Sequence, residues 1–320
     1  MPKPVADSAD IVGSLLAWYA RHKRTLPWRD LPDNDLDHKA YLVLVSEVML
    51  QQTQVSRVTV LYKNFIQLFP TAAALADATN AEILLAWRGL GYNSRALRLR
   101  DAARTVVREH VGRFPRTLEG LMAIKGIGHY TASAVMNFAF GAAVPCIDTN
   151  IRRIVHRVFE GPETPEGEWP VSDKVLLRKD ATLLAAMPPA RAAELPAILM
   201  DFGSAVCTKR SPACQACPLK EICVSAFRVP APMKGVRQAK ILKEPGRVIS
   251  GKFTPNRLVR GRIVEALRDH PAGLSPAALG PYTASDWDAS PEQAAWLRAI
   301  LEKLVKDGVI NRQGKAYIIG

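Results

Sequence analysis

Four closely spaced cysteines are the clearest chemical signal in the sequence. Six, two and five residues separate Cys207, Cys214, Cys217 and Cys223 in turn. Tetrahedral zinc sites more often use two close cysteine pairs, whereas four thiolates in one loop suit a cubane iron–sulfur cluster. The spacing therefore favours an iron–sulfur centre, with structural zinc as the alternative. Three basic residues lie inside the loop, so the bound centre would also order a basic surface.

A pair of glycines forms a second motif, in the segment Ile124-Lys125-Gly126-Ile127-Gly128-His129-Tyr130. Gly126 and Gly128 would let the backbone approach another molecule closely, because glycine has no side chain. Their N–H groups and the N-terminus of the next helix, beside Lys125, would bind a phosphate without reading a base. A tight turn between two helices needs the same glycines and is the alternative.

Two carboxylates stand in contexts that would give them different proton affinities. Glu47 lies in the apolar stretch 45–49, where desolvation would raise its pKa and keep the carboxyl protonated. Asp148 begins the predicted helix at Asp148-Thr149-Asn150, whose N-terminal dipole would keep it ionised. One protonated and one ionised carboxylate suit a glycosidic bond cleavage that passes through a sugar cation. The alternatives are a carboxylate without a role at position 47 and a plain helix N-cap at Asp148.

The elements that carry these residues are predicted to be helical. Apolar residues recur at helical spacing through the first 225 residues, including a long run over residues 41–68, and strict period-two alternation is nearly absent. After Cys223 the composition changes. Residues 228–262 hold ten basic residues against Glu244 alone. Prolines in the first half of this stretch predict a basic linker over residues 228–251, either a solvated linker or a phosphate-contacting segment.

Residues 252–320 have the pattern of a small separate domain. A helix begins near Pro255, a second near Ser275, and a third at Ser290, where the N-cap, a proline and Gln293 favour a helix start. Residues 309–319 predict a strand, a glycine turn and a second strand. Three helices followed by a hairpin is the order of a winged-helix domain, which would contact DNA or serve as a packing module.

Composition limits the class of protein. The 320-residue chain is 48% hydrophobic and 23% charged, which excludes a wholly disordered chain. Its net charge of +13 favours a polyanion partner, either nucleic acid or an anionic membrane surface. No apolar run reaches the roughly 18 residues that span a bilayer, and the first residues lack the apolar core of a secretory signal. An odd number of cysteines with one tight cluster disfavours a secreted disulfide scaffold and leaves Cys146 as a buried small apolar residue.

In combination, these features resemble the helix–hairpin–helix DNA glycosylases, which include endonuclease III. The Gly126-Ile127-Gly128 hairpin, Asp148 and the four-cysteine loop match that superfamily in order and spacing, over about residues 10–225. The resemblance implies a mainly α, two-lobed glycosylase body over residues 1–227 with a [4Fe-4S] cluster on the four cysteines. It is followed here by the linker and a small α/β winged-helix domain.

Within the superfamily, the chain is most similar to adenine DNA glycosylases of the MutY type. The similarity lies in Leu26-Pro27-Trp28-Arg29, in the ten residues 46–55 and in Gly89-Leu90-Gly91-Tyr92. The resemblance implies that Glu47 is the catalytic acid and that Gln52 and Tyr92 wedge into the duplex. In endonuclease III a lysine that forms a Schiff base occupies the place of Tyr130, so lyase chemistry of that type is disfavoured.

Two departures from the MutY pattern leave alternatives open. A winged helix replaces the NUDIX-like domain that reads the oxidised guanine, and Asn93 stands where a second tyrosine usually follows Tyr92. The expected substrate is double-stranded DNA with adenine opposite guanine or 8-oxoguanine. A thymine or uracil mismatch glycosylase is the first alternative, and a non-catalytic DNA-binding or redox protein is the second. We expect a cytoplasmic, nucleoid-associated monomer whose cluster is structural and whose C-terminal domain adds sequence-independent DNA affinity.

Overall fold

The computed structural model describes residues 7–29, 31, 35–229 and 244–320. Contacts divide the chain into two compact units, Met1–Glu47 with Phe114–Lys234 and Val48–Arg113 with Gly235–Gly320. Each unit is therefore built from two stretches that are distant in sequence. Within the described ranges, no helix combines the length and apolarity needed to cross a membrane.

The described part of the first unit consists of helices joined by loops. Its elements are α1 (Ser8–His22), α2 (Leu36–Leu50) as far as Glu47, α7 (Leu118–Ala123), α8 (His129–Phe138), α9 (Thr149–Phe159), α10 (Asp173–Ala186) and α11 (Leu195–Ala205), with 3₁₀ turns at Pro189–Glu194 and Cys214–Ala216. Helices α1, α9, α10 and α11 enclose one apolar core that includes Leu15, Ile154 and Phe202. Cys146 is fully buried in this core, as expected. The core also supports three of the four clustered cysteines, which pack against its edge.

Helices α7 and α8 form the expected helix–hairpin–helix. The Thr117 side chain caps α7 by accepting a hydrogen bond from the Gly120 N–H. Gly126 has φ +98, a left-handed conformation that favours glycine, and Gly128 is the N-cap of α8. The glycines therefore make the tight turn and also leave the N-terminus of α8 open.

The second unit begins with α3 (Val55–Leu68), α4 (Ala72–Asp77), α5 (Asn80–Ala86) and α6 (Ser94–Glu109). A capping box between Thr79 and Glu82 starts α5. The long helical run predicted over residues 41–68 is wrong in one respect, because the chain leaves the helix after Leu50 and resumes it at Val55. The break is at Gln52, whose φ of +56 cannot continue a right-handed helix.

The C-terminal part of the second unit has the expected winged-helix order. It contains α12 (Asn256–Asp269), α13 (Pro276–Thr283), α14 (Pro291–Lys306) and the antiparallel hairpin of β3 (Ile310–Gln313) and β4 (Ala316–Ile319). An additional hairpin pairs β1 (Gly246–Ile249) with β2 (Lys252–Pro255) in the register Gly246↔Pro255. The linker was expected to extend to residue 251, but the folded domain starts earlier, with β1. Residues 230–243 of that linker lie outside the described residues.

Packing inside the C-terminal domain generates a stability prediction. A Cβ atom added to Gly280 in α13 would lie 2.0 Å from Cε2 of Trp287, so the indole must move. We expect Gly280→Ala to lower the free energy of unfolding by about 2 kcal/mol or more. Gly261 in α12 has no heavy atom within 4 Å of the same added Cβ, and Gly261→Ala should stabilise by up to about 1 kcal/mol. Urea unfolding followed by tryptophan fluorescence compares the two variants, and equal midpoints would contradict this packing.

Candidate active site and cluster-binding loop

The carboxyl group of Glu47 is enclosed in the first unit. Glu47 lies in the last turn of α2 with 4% of its surface exposed, and its Oε2 accepts a hydrogen bond of 2.7 Å from the Tyr130 hydroxyl. Burial raises the pKa of Glu47 to about 7, opposed by the Tyr130 hydrogen bond and by Arg29 and reinforced by the negative charge of Asp148. The carboxyl group is thus partly protonated at neutral pH, which is the state a general acid requires.

Tyr130 extends from the first turn of α8 into the same site. Burial, and then the Glu47 carboxylate, raise the pKa of the phenol well above its ordinary value, so the hydroxyl stays neutral and remains a donor. The hydroxyl oxygen also lies 3.6 Å from Sδ of Met200 on α11. A neutral phenol has no amine with which to form a Schiff base, as the sequence comparison with lysine-bearing enzymes predicts.

An ion-pair cluster fixes α11 beside these groups. Asp201, next to Met200, is 1% exposed and accepts hydrogen bonds from Arg29 at 2.6 and 2.7 Å and from Arg24 Nε at 2.6 Å. Buried charges of this kind persist only when each is paired and hydrogen-bonded. Arg29 also lowers the pKa of Glu47, so the cluster both positions α11 and limits how strongly burial acts on Glu47.

Asp148 is the N-cap of α9. Its Oδ1 accepts a 2.6 Å hydrogen bond from the Ile151 N–H, and its Oδ2 accepts one of 3.2 Å from Asn150 Nδ2. Burial raises the pKa of Asp148 above its ordinary value, and these hydrogen bonds offset only part of that effect. The N-cap role and a role for the negative charge are therefore compatible, because the capping geometry orients the carboxylate.

A chain of hydrogen bonds connects Asp148 to the cysteine loop. Asn150 Oδ1 accepts from Arg153 at 2.8 Å, and Nε of Arg153 donates to the Cys207 carbonyl at 2.7 Å. Arg157, one turn further along α9, lies with a guanidinium nitrogen 3.5 Å from the Cys207 Sγ. No motif in the sequence linked the loop to the carboxylates, but in the structure buried Arg153 joins Asp148 to the loop, and Arg157 of the same helix binds the loop as well.

The four cysteines fit a polynuclear cluster. All four line one small cavity, together with Arg157 and Lys220. In the described part of the chain, no three His, Cys, Asp or Glu side chains are grouped closely enough to hold a single metal ion. A cavity lined by four thiols suits a cluster with one cysteine on each iron.

The hairpin residues lie at the surface of the first unit. Lys125, Gly126 and Gly128 are exposed, whereas Ile127 between the glycines is buried and anchors the turn. A Cβ added to Gly128 would meet no atom within 4 Å, so internal packing does not require a glycine at this position. Open space in front of the α8 N-terminus is what the approach of a phosphate requires.

Gln52 and Tyr92 both lie in the second unit, and both have left-handed backbones. Their φ angles are +56 and +46, and Gly91 beside Tyr92 has φ +68. Such conformations cost about 1–3 kcal/mol for residues other than glycine and cluster at functional sites. The Tyr92 ring is 48% exposed. Gln52 and Tyr92 therefore each lie in a strained turn, which contacts with the surrounding structure must stabilise.

One buried arginine holds both turns. Arg95 on α6 donates to the carbonyl oxygens of Val48 and Gln51 on the Gln52 side, and to those of Leu90 at 2.9 Å and Gly91 at 3.1 Å on the Tyr92 side. Burial lowers the pKa of Arg95 to about 10, so it remains cationic at neutral pH. Its charge also lies at the C-terminal end of α2, whose last turn carries no basic residue of its own.

Several of these residues were not singled out from the sequence. Arg95, Arg153 and Asp201 read as ordinary helix residues, because a buried charge gives no periodic signal that differs from that of an exposed one. Arg29 appeared within a motif but without a role. Their burial could have been predicted from one feature of the sequence: a charged residue at a position that helical spacing places on an apolar face. Arg95, between Leu90 and Leu99, is an example.

The hydrogen-bond chain predicts that Arg153 supports the cluster. Arg153→Gln should remove the donor to Cys207 and Gly203, lower the free energy of unfolding by about 3 kcal/mol and reduce the iron retained per chain. Arg152→Gln is the matched control, since Arg152 makes an ion pair with half-exposed Asp173. Iron analysis and the thiolate-to-iron absorption of both purified variants test this. Equal iron content in the two variants would argue against the connection.

Comparison with known protein families agrees with the geometry. Residues 45–168 match the HhH-GPD superfamily of base excision DNA repair proteins. Residues 207–223 match the iron–sulfur binding domain of endonuclease III. The first range includes Glu47, Tyr130 and Asp148, and the second begins and ends at a cysteine of the cavity.

Curated relatives cover most of the chain. The adenine DNA glycosylase of Mycolicibacterium smegmatis is 37% identical over 93% of this chain and 92% of its own length. That of Mycobacterium tuberculosis (strain H37Rv) is 34% identical over 97% of this chain and 92% of its own length. The human adenine DNA glycosylase is 41% identical, but the match covers 71% of this chain and only 41% of the human protein.

Solved structures share the fold of the glycosylase part. A thermostable thymine-DNA glycosylase superimposes with a TM-score of 0.60 and 26% identity over 69% of this chain and 97% of its own. An endonuclease III–DNA complex superimposes with a TM-score of 0.55 and 21% identity, over 68% of this chain and 94% of its own, which supports the fold alone. With the curated relatives, these matches establish that the chain belongs to the adenine DNA glycosylase family of the HhH-GPD base excision repair superfamily.

Proposed function

We propose that this protein excises adenine mispaired with guanine or 8-oxoguanine from double-stranded DNA, by hydrolysing the N-glycosidic bond without cutting the strand. The observation that carries the proposal is the enclosed Glu47 carboxyl group, with a pKa of about 7 and a hydrogen bond from Tyr130. Family membership supplies the reaction class. We expect the protein to act as a monomer associated with the nucleoid.

The chemistry follows from the two carboxyl groups. Glu47, protonated, donates its proton to the departing base, and the bond electrons leave with that base. The sugar then carries positive charge, which the Asp148 carboxylate offsets while water adds to the sugar carbon. The proton released by that water passes to the Glu47 carboxylate, which restores the acid. Glu47 and Asp148 can differ in protonation because Asp148 accepts two hydrogen bonds at a helix N-terminus, whereas Glu47 accepts one in an enclosed site.

The target base must leave the stack before this chemistry can occur. Gln52 and Tyr92 are the proposed wedges, and insertion of their side chains would offset part of an unstacking cost of a few kcal/mol. Lys125, Gly126 and Gly128 would hold a DNA phosphate through charge and backbone N–H groups. Cys207, Cys214, Cys217 and Cys223 would hold the [4Fe-4S] cluster, which would stabilise the loop.

A panel of end-labelled duplexes tests the substrate. We expect base release from A:8-oxoG and A:G pairs, and none from T:G, U:G or hypoxanthine:T pairs. Release of thymine without adenine would favour the alternative that the thymine-DNA glycosylase likeness and Asn93 support. No release from any duplex would favour a DNA-binding protein. Borohydride trapping of a covalent adduct would contradict monofunctional chemistry at Tyr130.

Substitution of the carboxyl groups tests their roles. Glu47→Gln should bind mismatched DNA with unchanged affinity but lose base release, because the amide cannot donate the required proton. Asp148→Asn should lose most activity while retaining the N-cap, since asparagine also caps helices well. Single-turnover release and binding anisotropy measure both effects. Full activity of Glu47→Gln would show that another group is the acid.

The hydrogen bond from Tyr130 predicts a shift in pH dependence. Activity that needs protonated Glu47 should fall as pH rises through about 7. Tyr130 stabilises the ionised form of Glu47, so Tyr130→Phe should raise the Glu47 pKa and move this limb of the profile to higher pH. Single-turnover rates of both proteins from about pH 5 to about pH 9 would measure this shift, because Glu47 titrates roughly within that range. A pH profile that is unchanged in Tyr130→Phe would show that Tyr130 does not affect the pKa of the catalytic acid.

A further inference from the structure

The C-terminal domain is bonded to the helices that carry the Tyr92 turn, all within the second unit. Asn80 at the start of α5 donates to the Gly308 carbonyl at 2.8 Å. At the other end of α5, Arg88 pairs with Glu265 at 3.0 Å and with Asp269 at 2.8 Å. These contacts secure both ends of α5 to the domain, and α5 leads directly into the turn.

Arg268 of α12 makes the most buried of these contacts. Its side chain is 1% exposed and donates to the Leu84 carbonyl at 2.6 Å and to the Asn93 Oδ1 at 3.1 Å, and it also pairs with Glu265. A buried guanidinium is costly unless such partners are present. Its position is therefore fixed by α5 and by Asn93, as well as by its own helix.

Asn93 would ordinarily use its side chain to cap α6. Asparagine at an N-cap accepts a hydrogen bond from the second or third N–H of its helix. Asn93 occupies the N-cap position, but its side chain makes no capping hydrogen bond, and the Oδ1 accepts from Arg268 instead. Asn93 directly follows left-handed Tyr92, so fixing Asn93 fixes the end of the strained turn.

The first turn of α12 also approaches Tyr92. The pKa of Arg257 is raised by its hydrogen bond to Glu244 and further by the Tyr92 hydroxyl. The Arg95 guanidinium lies 5.7 Å from the centre of the Tyr92 ring. Tyr92 therefore interacts with one cation of α6 and with one of the C-terminal domain.

We propose that Arg268 is a positioning residue for base flipping, which through Asn93 holds Tyr92 in its left-handed conformation. The inference rests on the proposed function, because that function assigns the wedge role to Tyr92. The inference links two departures from the MutY pattern. Asn93 stands in place of the second tyrosine, and the C-terminal domain that stands in place of the NUDIX-like domain binds Asn93. The domain then acts on the wedge in addition to any general affinity for DNA.

The test compares Asn93→Ala with Arg88→Ala. Arg88, which follows α5, binds the same helix α12 through partly exposed ion pairs with Glu265 and Asp269, whereas the hydrogen bond to Asn93 comes from Arg268. Hydrogen exchange should accelerate at residues 90–95 in Asn93→Ala only. Flipping of 2-aminopurine paired with guanine, followed by stopped-flow fluorescence, should slow about tenfold in Asn93→Ala, the effect of losing one charge-assisted hydrogen bond. Affinity for matched duplex should remain unchanged in both variants, whereas the melting temperature should fall in Asn93→Ala, because buried Arg268 loses a partner.

A third variant tests whether Arg268 acts on Tyr92 through Asn93. Arg268→Met should slow flipping as Asn93→Ala does, and the double variant should be no slower, because both substitutions remove the same bond. Unchanged exchange and flipping in Asn93→Ala would overturn the proposal even if Arg268→Met failed to fold. Neither readout depends on bond cleavage. A wild-type protein that releases no base would therefore refute the proposed function and leave this test valid.

Discussion

Keeping one carboxyl group protonated in neutral solution is the constraint on which the first unit depends. Water must be excluded from Glu47, but full exclusion without a partner would leave a carboxyl group too weakly acidic to give up its proton. The Tyr130 hydroxyl and Arg29 offset part of the effect of burial. Arg29 can do so only because Asp201 holds it, and Asp201 is in turn fixed on α11 beside Met200. Contacts among α2, α8, α11 and the segment that follows α1 thus all influence the pKa of Glu47.

The constraint on the second unit is to hold two strained turns in their left-handed conformations. Its proposed wedges are useful only if their turns resist relaxation to ordinary backbone conformations. Arg95 supplies that resistance to both turns through carbonyl oxygens, and Arg268 supports the turn at Tyr92 from the C-terminal domain. Arg95 binds backbone carbonyls that the strained turns leave unpaired, whereas Arg268 binds the Asn93 side chain next to Tyr92.

The sequence predicted elements and motifs better than the contacts between them. The helical body, the glycine hairpin, the cysteine loop and the three helices with a hairpin at the C-terminus all followed from periodicity, capping residues and spacing. The break at Gln52 did not, because residues 41–68 are apolar at helical spacing and a left-handed residue leaves no compositional trace there. The strand β1 was hidden by prolines and basic residues that are typical of linkers. The connection from Asp148 to Cys207 depends on arginine side chains whose direction only the folded helix α9 sets.

Arg95 also limits how these turns can vary. Because one guanidinium binds carbonyls on both sides, a change of length in either turn would leave its donors unpaired on that side. Insertions and deletions in one turn are thus coupled to the other, although 39 residues separate Gln52 from Tyr92. Transplanting a wedge from a related enzyme, to change which mispair is opened, would require moving both turns together with their shared arginine.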